Sequence, residues 1–194
     1  MIEKPANGRA IIKHDFNSLY IEIPSKNNWF IIIFLTVWMG GWIVSEVFVI
    51  RIIINANSPI YANAFLLFWL LGWTIGGLLA LYTILWQLIG RETISIEKGI
   101  LTIDKSVKGI GRKKQYEIKS IRNLDINPTQ DIGVWGGGYN RNMFMSKVGK
   151  IKFDYGMKTI KFANDIDEAE ARMIFKKLKE NTNFKEENFA QANR

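Results

Sequence analysis

The chain contains no cysteine and only one histidine, His14. The first absence excludes disulfides, thiolate metal sites and cysteine nucleophiles. The second excludes a histidine cluster for zinc or haem and leaves a single possible base for a serine nucleophile. Standing alone beside a candidate strand, His14 reads as an ordinary polar residue. The candidate acids Asp125, Asp131 and Asp154 are scattered, without metal-ligand spacing. Neither GxGxxG nor GxxxxGK[ST] occurs, so the familiar phosphate loops are missing. No nucleophile stands with a base, and the chain is expected to be no enzyme, with no cofactor. There is no internal repeat.

What is present is long apolar sequence. Two runs, Trp29 to Ile54 and Ala64 to Ile89, each exceed the roughly 20 apolar residues that a helix needs to cross a hydrocarbon core. The first begins too late and runs too long for a signal peptide, so it is expected to be retained. The reading is therefore a transmembrane α-hairpin at 29–90 between an N-terminal segment at 1–28 and a soluble domain at 91–180, with a flexible polar tail at 181–194. The connection Asn55 to Asn63 carries no lysine or arginine, whereas Lys4, Arg9, Lys13 and Lys26 precede the first run and Arg91, Lys98, Lys105 and Lys108 follow the second. By the positive-inside rule the expected location is the inner (plasma) membrane, multi-pass, with both termini cytoplasmic.

Within the first run Glu46 is the ionisable residue before its end, about 25 Å along a helix from Trp29. An acid in such a place suggests a proton relay or a partner contact. The matching depth in the second run, around Phe65 to Phe68, offers no ionisable partner, which leaves an interfacial Glu46 balanced by Arg51 or water as the plainer alternative. Gly40 and Gly41 in the first run, and Gly72, Gly76 and Gly77 in the second, allow close helix approach, and Gly72 with Gly76 forms GxxxG. These glycines are expected to pack the two helices of the hairpin together, the alternative being an intermolecular contact.

The period then changes to two. Thr93 to Ile96 and Ile100 to Ile103 alternate about a Lys98-Gly99 turn; Arg112 to Ile118, Ile121 to Ile126, Lys150 to Tyr155 and Lys158 to Ala163 follow as further strands. Leu19 to Ile23 alternates as well, and an isolated strand is unstable in water, so its partners must come from beyond the hairpin. A last amphipathic helix presents Ala169, Met173, Ile174 and Leu178, with Asp165 and Glu168 at capping-box spacing. Seven twisted strands cannot leave one apolar face wet. The expected fold is α+β: the hairpin plus a small, partly open antiparallel β-barrel capped by the C-terminal helix.

Several segments carry a family likeness. They are Ile21-Glu22-Ile23-Pro24-Ser25 before the first run, Glu92-Thr93-Ile94-Ser95-Ile96 after the second, Ile121-Arg122-Asn123-Leu124, Phe153-Asp154-Tyr155-Gly156, and Asp167-Glu168-Ala169-Glu170-Ala171. With these the chain, from about residue 19 to 180, resembles the bacterial pleckstrin-homology-like (PH-like) membrane proteins, in which a transmembrane hairpin precedes a PH-like domain. The resemblance implies membrane-associated scaffolding or binding and supplies no catalytic residues.

The net charge of +8 is concentrated beyond Gly90, where basic residues exceed acidic ones by about seven. Lys105, Lys108, Arg112, Lys113, Lys114, Lys119 and Arg122 stand against Glu117 alone in the densest stretch. Such a cluster near a span attracts anionic membrane lipid at ~1 kcal/mol per residue; equally, it suits a solvated strand edge guarded against edge-to-edge pairing. The glycine-rich loop at 133–142, with Trp135, Tyr139 and Arg141, is a candidate contact loop or a plain one. The function expected is a non-catalytic membrane-anchored scaffold or binding module that contacts a protein partner or the anionic membrane surface. The alternative is an accessory subunit of a membrane transport or enzyme complex, or a homo-oligomer, with the hairpin making the contact. Nucleic acid is the least favoured partner.

Overall fold

In the computed structural model the described residues are 2–3, 8–15, 18–55, 60–127 and 149–190. Trp135, Tyr139, Arg141 and Asp131 lie outside them. The chain divides into two compact units, one formed by Met1–Ser25 with Gly90–Arg194 and the other by Lys26–Ile89. The second unit is two helices, α1 (Trp29–Asn55) and α2 (Ile60–Ile89), both long and apolar enough to cross a membrane.

The first unit is mostly antiparallel sheet. Its first six strands are β1 (Ile2–Glu3), β2 (Ile11–Asp15), β3 (Ser18–Pro24), β4 (Gly90–Glu97), β5 (Ile100–Val107) and β6 (Ile110–Glu117). They form one sheet in chain order. As the isolated-strand argument requires, β3 pairs across the helical insertion with β4, from Ser18 opposite Glu97 to Pro24 opposite Arg91. His14 lies in β2 opposite Leu19. Between β4 and β5, Lys98 and Gly99 both have positive φ, the backbone of a two-residue turn whose twist matches its strands.

A second sheet contains β7 (Ile121–Ile126), β8 (Ile151–Tyr155) and β9 (Lys158–Phe162). Here the structure departs from the expected barrel. A 3-10 turn at Ile118–Ser120, with Ile118 N–H donating to Gly99 O, redirects the chain after β6, so β7 starts a new sheet and the strands do not close. The apolar faces of both sheets still share one core, joining Ile12, Ile21, Ile94, Ile96 and Leu101 to Ile121, Leu124, Ile151, Phe153 and Phe162.

The closing helix α3 (Glu168–Glu180) buries Ala171, Ile174 and Leu178 in that core, whereas Ala169 is exposed. Its capping box is Asp167 with Glu170, two residues beyond the expected pair. Ala163 and Asp165 both have positive φ, a sharp kink after β9 that must be completed before a helix can start.

The tail also differs from expectation. Phe184 and Asn188 are buried, Leu124 forms a parallel bridge with Phe189, and Asn188 Nδ2 donates to Ile118 O and Ile121 O, each at 2.8 Å. One asparagine therefore satisfies two carbonyls at the corner between the sheets. The signal was Phe184, Asn188 and Phe189, a pattern too short and aperiodic to register as an element. Replacing Asn188 by alanine strands those carbonyls, and the expected cost is about 2 kcal/mol. Exposed Thr182, changed to alanine, is expected to stay within about 0.5 kcal/mol. Denaturant unfolding of the full chain in detergent compares the two; equal stabilities would show that the tail is not packed as described.

Candidate functional site

The two-residue period of a strand sends neighbouring side chains to opposite faces, and this divides the basic run. In β4 and β5 the residues Glu92, Ile94, Ile96, Leu101 and Ile103 face the core, while Arg91, Thr93, Ser95, Thr102 and Asp104 face outward. Lys105 has the core-facing parity and lies opposite Glu92, with its Nζ 3.4 Å from Glu92 Oε1. It is therefore a partner of a buried acid rather than a member of a surface patch. Lys113 lies opposite Asp104 on the outer face; Arg112 and Lys114 have the other parity, and all three are exposed.

Two others of the run are far from these. Lys119 and Arg122 follow Glu117 at the opposite end of β6, about 20 Å along the strand from the Lys108 turn at ~3.3 Å per residue. There Arg122 donates to Lys119 O and Ile121 O and lies 3.9 Å from Glu187. The seven residues thus do not form one surface.

A different grouping is brought together by register. Ser25 N–H donates to Gly90 O at 3.0 Å, Pro24 is opposite Arg91, Gly90 is opposite Val107, and Val107 is opposite Ile110. The chain therefore leaves for α1 and returns from α2 at the same end of the sheet that carries the Lys108-Gly109 turn. That end collects Arg91, Lys108, Arg112 and Lys113, with Ile110 80% exposed at the turn. Beside it, on the outer face, a concave patch of 470 Å³ is lined by Arg91, Lys108 and Lys113 and by hydroxyls including Tyr20, Ser95 and Ser106. Arg91 is tied to Glu22 at 2.7 Å, so Lys108 and Lys113 are its more available cations. The contribution of Arg91 and the hydroxyls was carried by strand alternation, but only strand register shows that they converge.

The most buried acid of this unit with a cation beside it is Glu92. It is 3% exposed and accepts from Ala163 N–H at 3.1 Å and Asn164 N–H at 2.8 Å as well as facing Lys105. Burial pushes its carboxyl above the ordinary value of 4.5; Lys105 and the two amides pull the other way without cancelling the effect. On the second sheet, hydrogen bonds from Thr159 and Asn123 hold the exposed Asp154 carboxyl below its ordinary value. Among the described residues no three histidine or carboxylate side chains gather where a metal ion could sit.

The helical unit has its own polar seam. Trp42 Nε1 donates to Trp73 O, Trp73 Nε1 donates to Ser45 Oγ, and Thr74 Oγ1 lies 2.5 Å from Glu46 Oε1. The partner of Glu46 is thus Thr74, midway along α2, and not the Phe65 to Phe68 turn. Helical side chains lean toward their own N-terminus, so Glu46 reaches away from the connection between the helices. Gly77 alone among the expected glycines packs the pair: a Cβ there would overlap the Trp42 indole. At Gly40, Gly41, Gly72 and Gly76 a Cβ would meet nothing within 4 Å, because these positions face away from the partner helix.

The Lys105–Glu92 pair sets a pH dependence. Because the folded-state value of Glu92 is raised, its contribution to stability is fully present below 4.5 and falls as pH rises through the raised value. Lys105→Met removes the compensating charge, and the expected cost is about 1–3 kcal/mol at neutral pH, below that of a fully buried pair because Lys105 is partly exposed. That cost is expected to shrink on acidification toward the Glu92 titration, which thermal unfolding across pH measures; a pH-independent difference would contradict it. No family model, curated protein or solved structure matches this chain.

Proposed function

We propose that α1 and α2 span the inner membrane and tether a PH-like cytoplasmic module that meets the anionic lipid surface through the basic end of its larger sheet. The observation that carries this reading is the shared exit: the connections to both helices and the Lys108-Gly109-Ile110 turn occupy one end of the sheet. Gly90 follows Ile89 without a linker, so covalent geometry keeps that end within a few residues of the helix termini. Pairing of β3 with β4 supports an even number of crossings, since both flanks of the helical insertion return to one sheet. The lysine-free connection Asn55 to Asn63 supports placing that sheet in the cytoplasm. Lys108, Arg112 and Lys113 would contribute ~1 kcal/mol each near an anionic surface, and Ile110 adds apolar area to bury. A protein in place of lipid is the alternative occupant of the same end.

A second reading is favoured by a separate observation. Gly72 and Gly76 lie open on α2, as do Gly40 and Gly41 on α1, and a small-residue face of this kind admits a further helix. It would make the protein an accessory subunit or a homo-oligomer. Mild-detergent extraction with identification of copurifying proteins, repeated with Gly72→Leu, tests it: a stoichiometric partner lost on substitution is the expected result.

Because the chain has no cysteine, Ile110→Cys supplies a single labelling site. A fluorophore there, in full-length protein reconstituted into nanodiscs, is expected to be quenched by headgroup spin-labelled lipid in anionic bilayers. The quenching is expected to weaken in zwitterionic bilayers, at high salt, and on Arg112, Lys113 and Lys114 to glutamate. Quenching indifferent to all three changes would remove the lipid-contact reading.

A further inference from the structure

Three serine and threonine hydroxyls of the helical unit follow one rule. Thr36 Oγ1 donates to Ile32 O, Thr83 Oγ1 to Leu79 O, and Ser45 Oγ to Trp42 O, each spending its proton on its own helix. Ser45 then accepts from the facing helix, through Trp73 Nε1. Thr74 Oγ1 is placed in the same way, 2.8 Å from Leu70 O and 2.5 Å from Glu46 Oε1. A hydroxyl has one proton and Leu70 O can only accept. If Thr74 spends its proton as the other three do, the hydrogen between Thr74 and Glu46 must belong to the carboxyl group.

The surroundings agree. Glu46 Oε2 is buried without a hydrogen-bond partner among the described residues. An ionised carboxylate with one oxygen so placed bears a large desolvation cost, whereas a neutral acid leaves only an unpaired carbonyl oxygen. No Asp, Glu, Lys or Arg faces it from α2, because that helix contains none. Arg51, the other charged residue of α1, lies five positions on, about 140° around the helix. The neighbouring indole donors are already committed to Trp73 O and Ser45 Oγ. Glu46 is also only four residues from the middle of α1, about 6 Å along the axis, and faces Thr74 at the middle of α2.

We propose that Glu46 is a proton-binding site within the helix pair, held as the neutral acid with its O–H donated to Thr74 Oγ1 and the Thr74 hydroxyl donated to Leu70 O. The ligand is a proton, and its uptake neutralises the carboxylate. The site rests on the membrane reading of α1 and α2 and not on lipid contact by the sheet, so its readout is separate from that of a label at Ile110.

Infrared spectroscopy of the full-length protein in proteoliposomes at neutral pH tests it. The wild-type minus Glu46→Gln difference spectrum is expected to contain a protonated-carboxyl carbonyl band above amide I that moves down in D2O. A carboxylate band in its place would overturn the proposal. Thr74→Val keeps the acid but removes its acceptor, and the same band is expected to move to higher frequency; an unmoved band would refute donation of the carboxyl proton to Thr74 Oγ1. The wild-type minus Thr74→Val spectrum also carries the test should Glu46→Gln fail to fold.

Discussion

The buried carboxylate of Glu92 is the constraint on which the sheet unit depends. It projects from the six-stranded sheet and accepts from Ala163 and Asn164, the residues that turn the chain from the second sheet toward α3. A second acid answers it from the other side. Glu170 accepts from Arg9 and Ala10 N–H groups just before β2 through one oxygen and from Asp167 N–H through the other. Arg9 adds donors to Asp165 O and Ser25 O. Two acids thus fix the kinked β9 to α3 connection against the first sheet. Once buried, each must keep these donors, because an unpaired carboxylate in a core costs several kcal/mol.

This clamp explains how two sheets that exchange no strands behave as one core. The 3-10 turn at Ile118–Ser120 separates them, and Asn188 fills the carbonyls left at that corner. Tyr116 then meets Phe153 and Tyr155 edge-on, each with ring centroids 5.1 Å apart, and Phe153 meets Phe162, so aromatic packing continues across the gap that hydrogen bonding does not bridge. The same unit contains residues from both sides of the helical insertion. Its larger sheet is completed only when β3 pairs with β4, which returns the two ends of the insertion to neighbouring positions.

The basic run shows why a site is harder to read than a strand. Its residues are consecutive enough to suggest a patch, yet Lys105 turns inward to Glu92, Lys119 and Arg122 belong to the far end, and Arg91, outside the run, joins Lys108 and Lys113. Alternation gives each side chain a face but not a neighbour; neighbours come from register, which spans residues as distant as Pro24 and Arg91. In the helices the same gap appears. Apolar length made α1 and α2 plain, but the facing of Glu46 to Thr74, and of Trp42 to Gly77, depends on the rotation of each helix about its axis.

By itself the sequence determined what local periodicity and composition control: two long apolar helices, the strands on either side of them, the Lys98-Gly99 turn and an amphipathic closing helix. These depend on propensities and spacings within some ten residues. Tertiary structure alone decided that the strands split into two open sheets, that Asp167 rather than Asp165 caps α3, and that Phe184 and Asn188 anchor the tail. Each is settled by hydrogen bonds between residues far apart in the chain, Ile118 with Asn188 or Glu92 with Ala163, and no local pattern encodes which distant donor a buried acceptor will find.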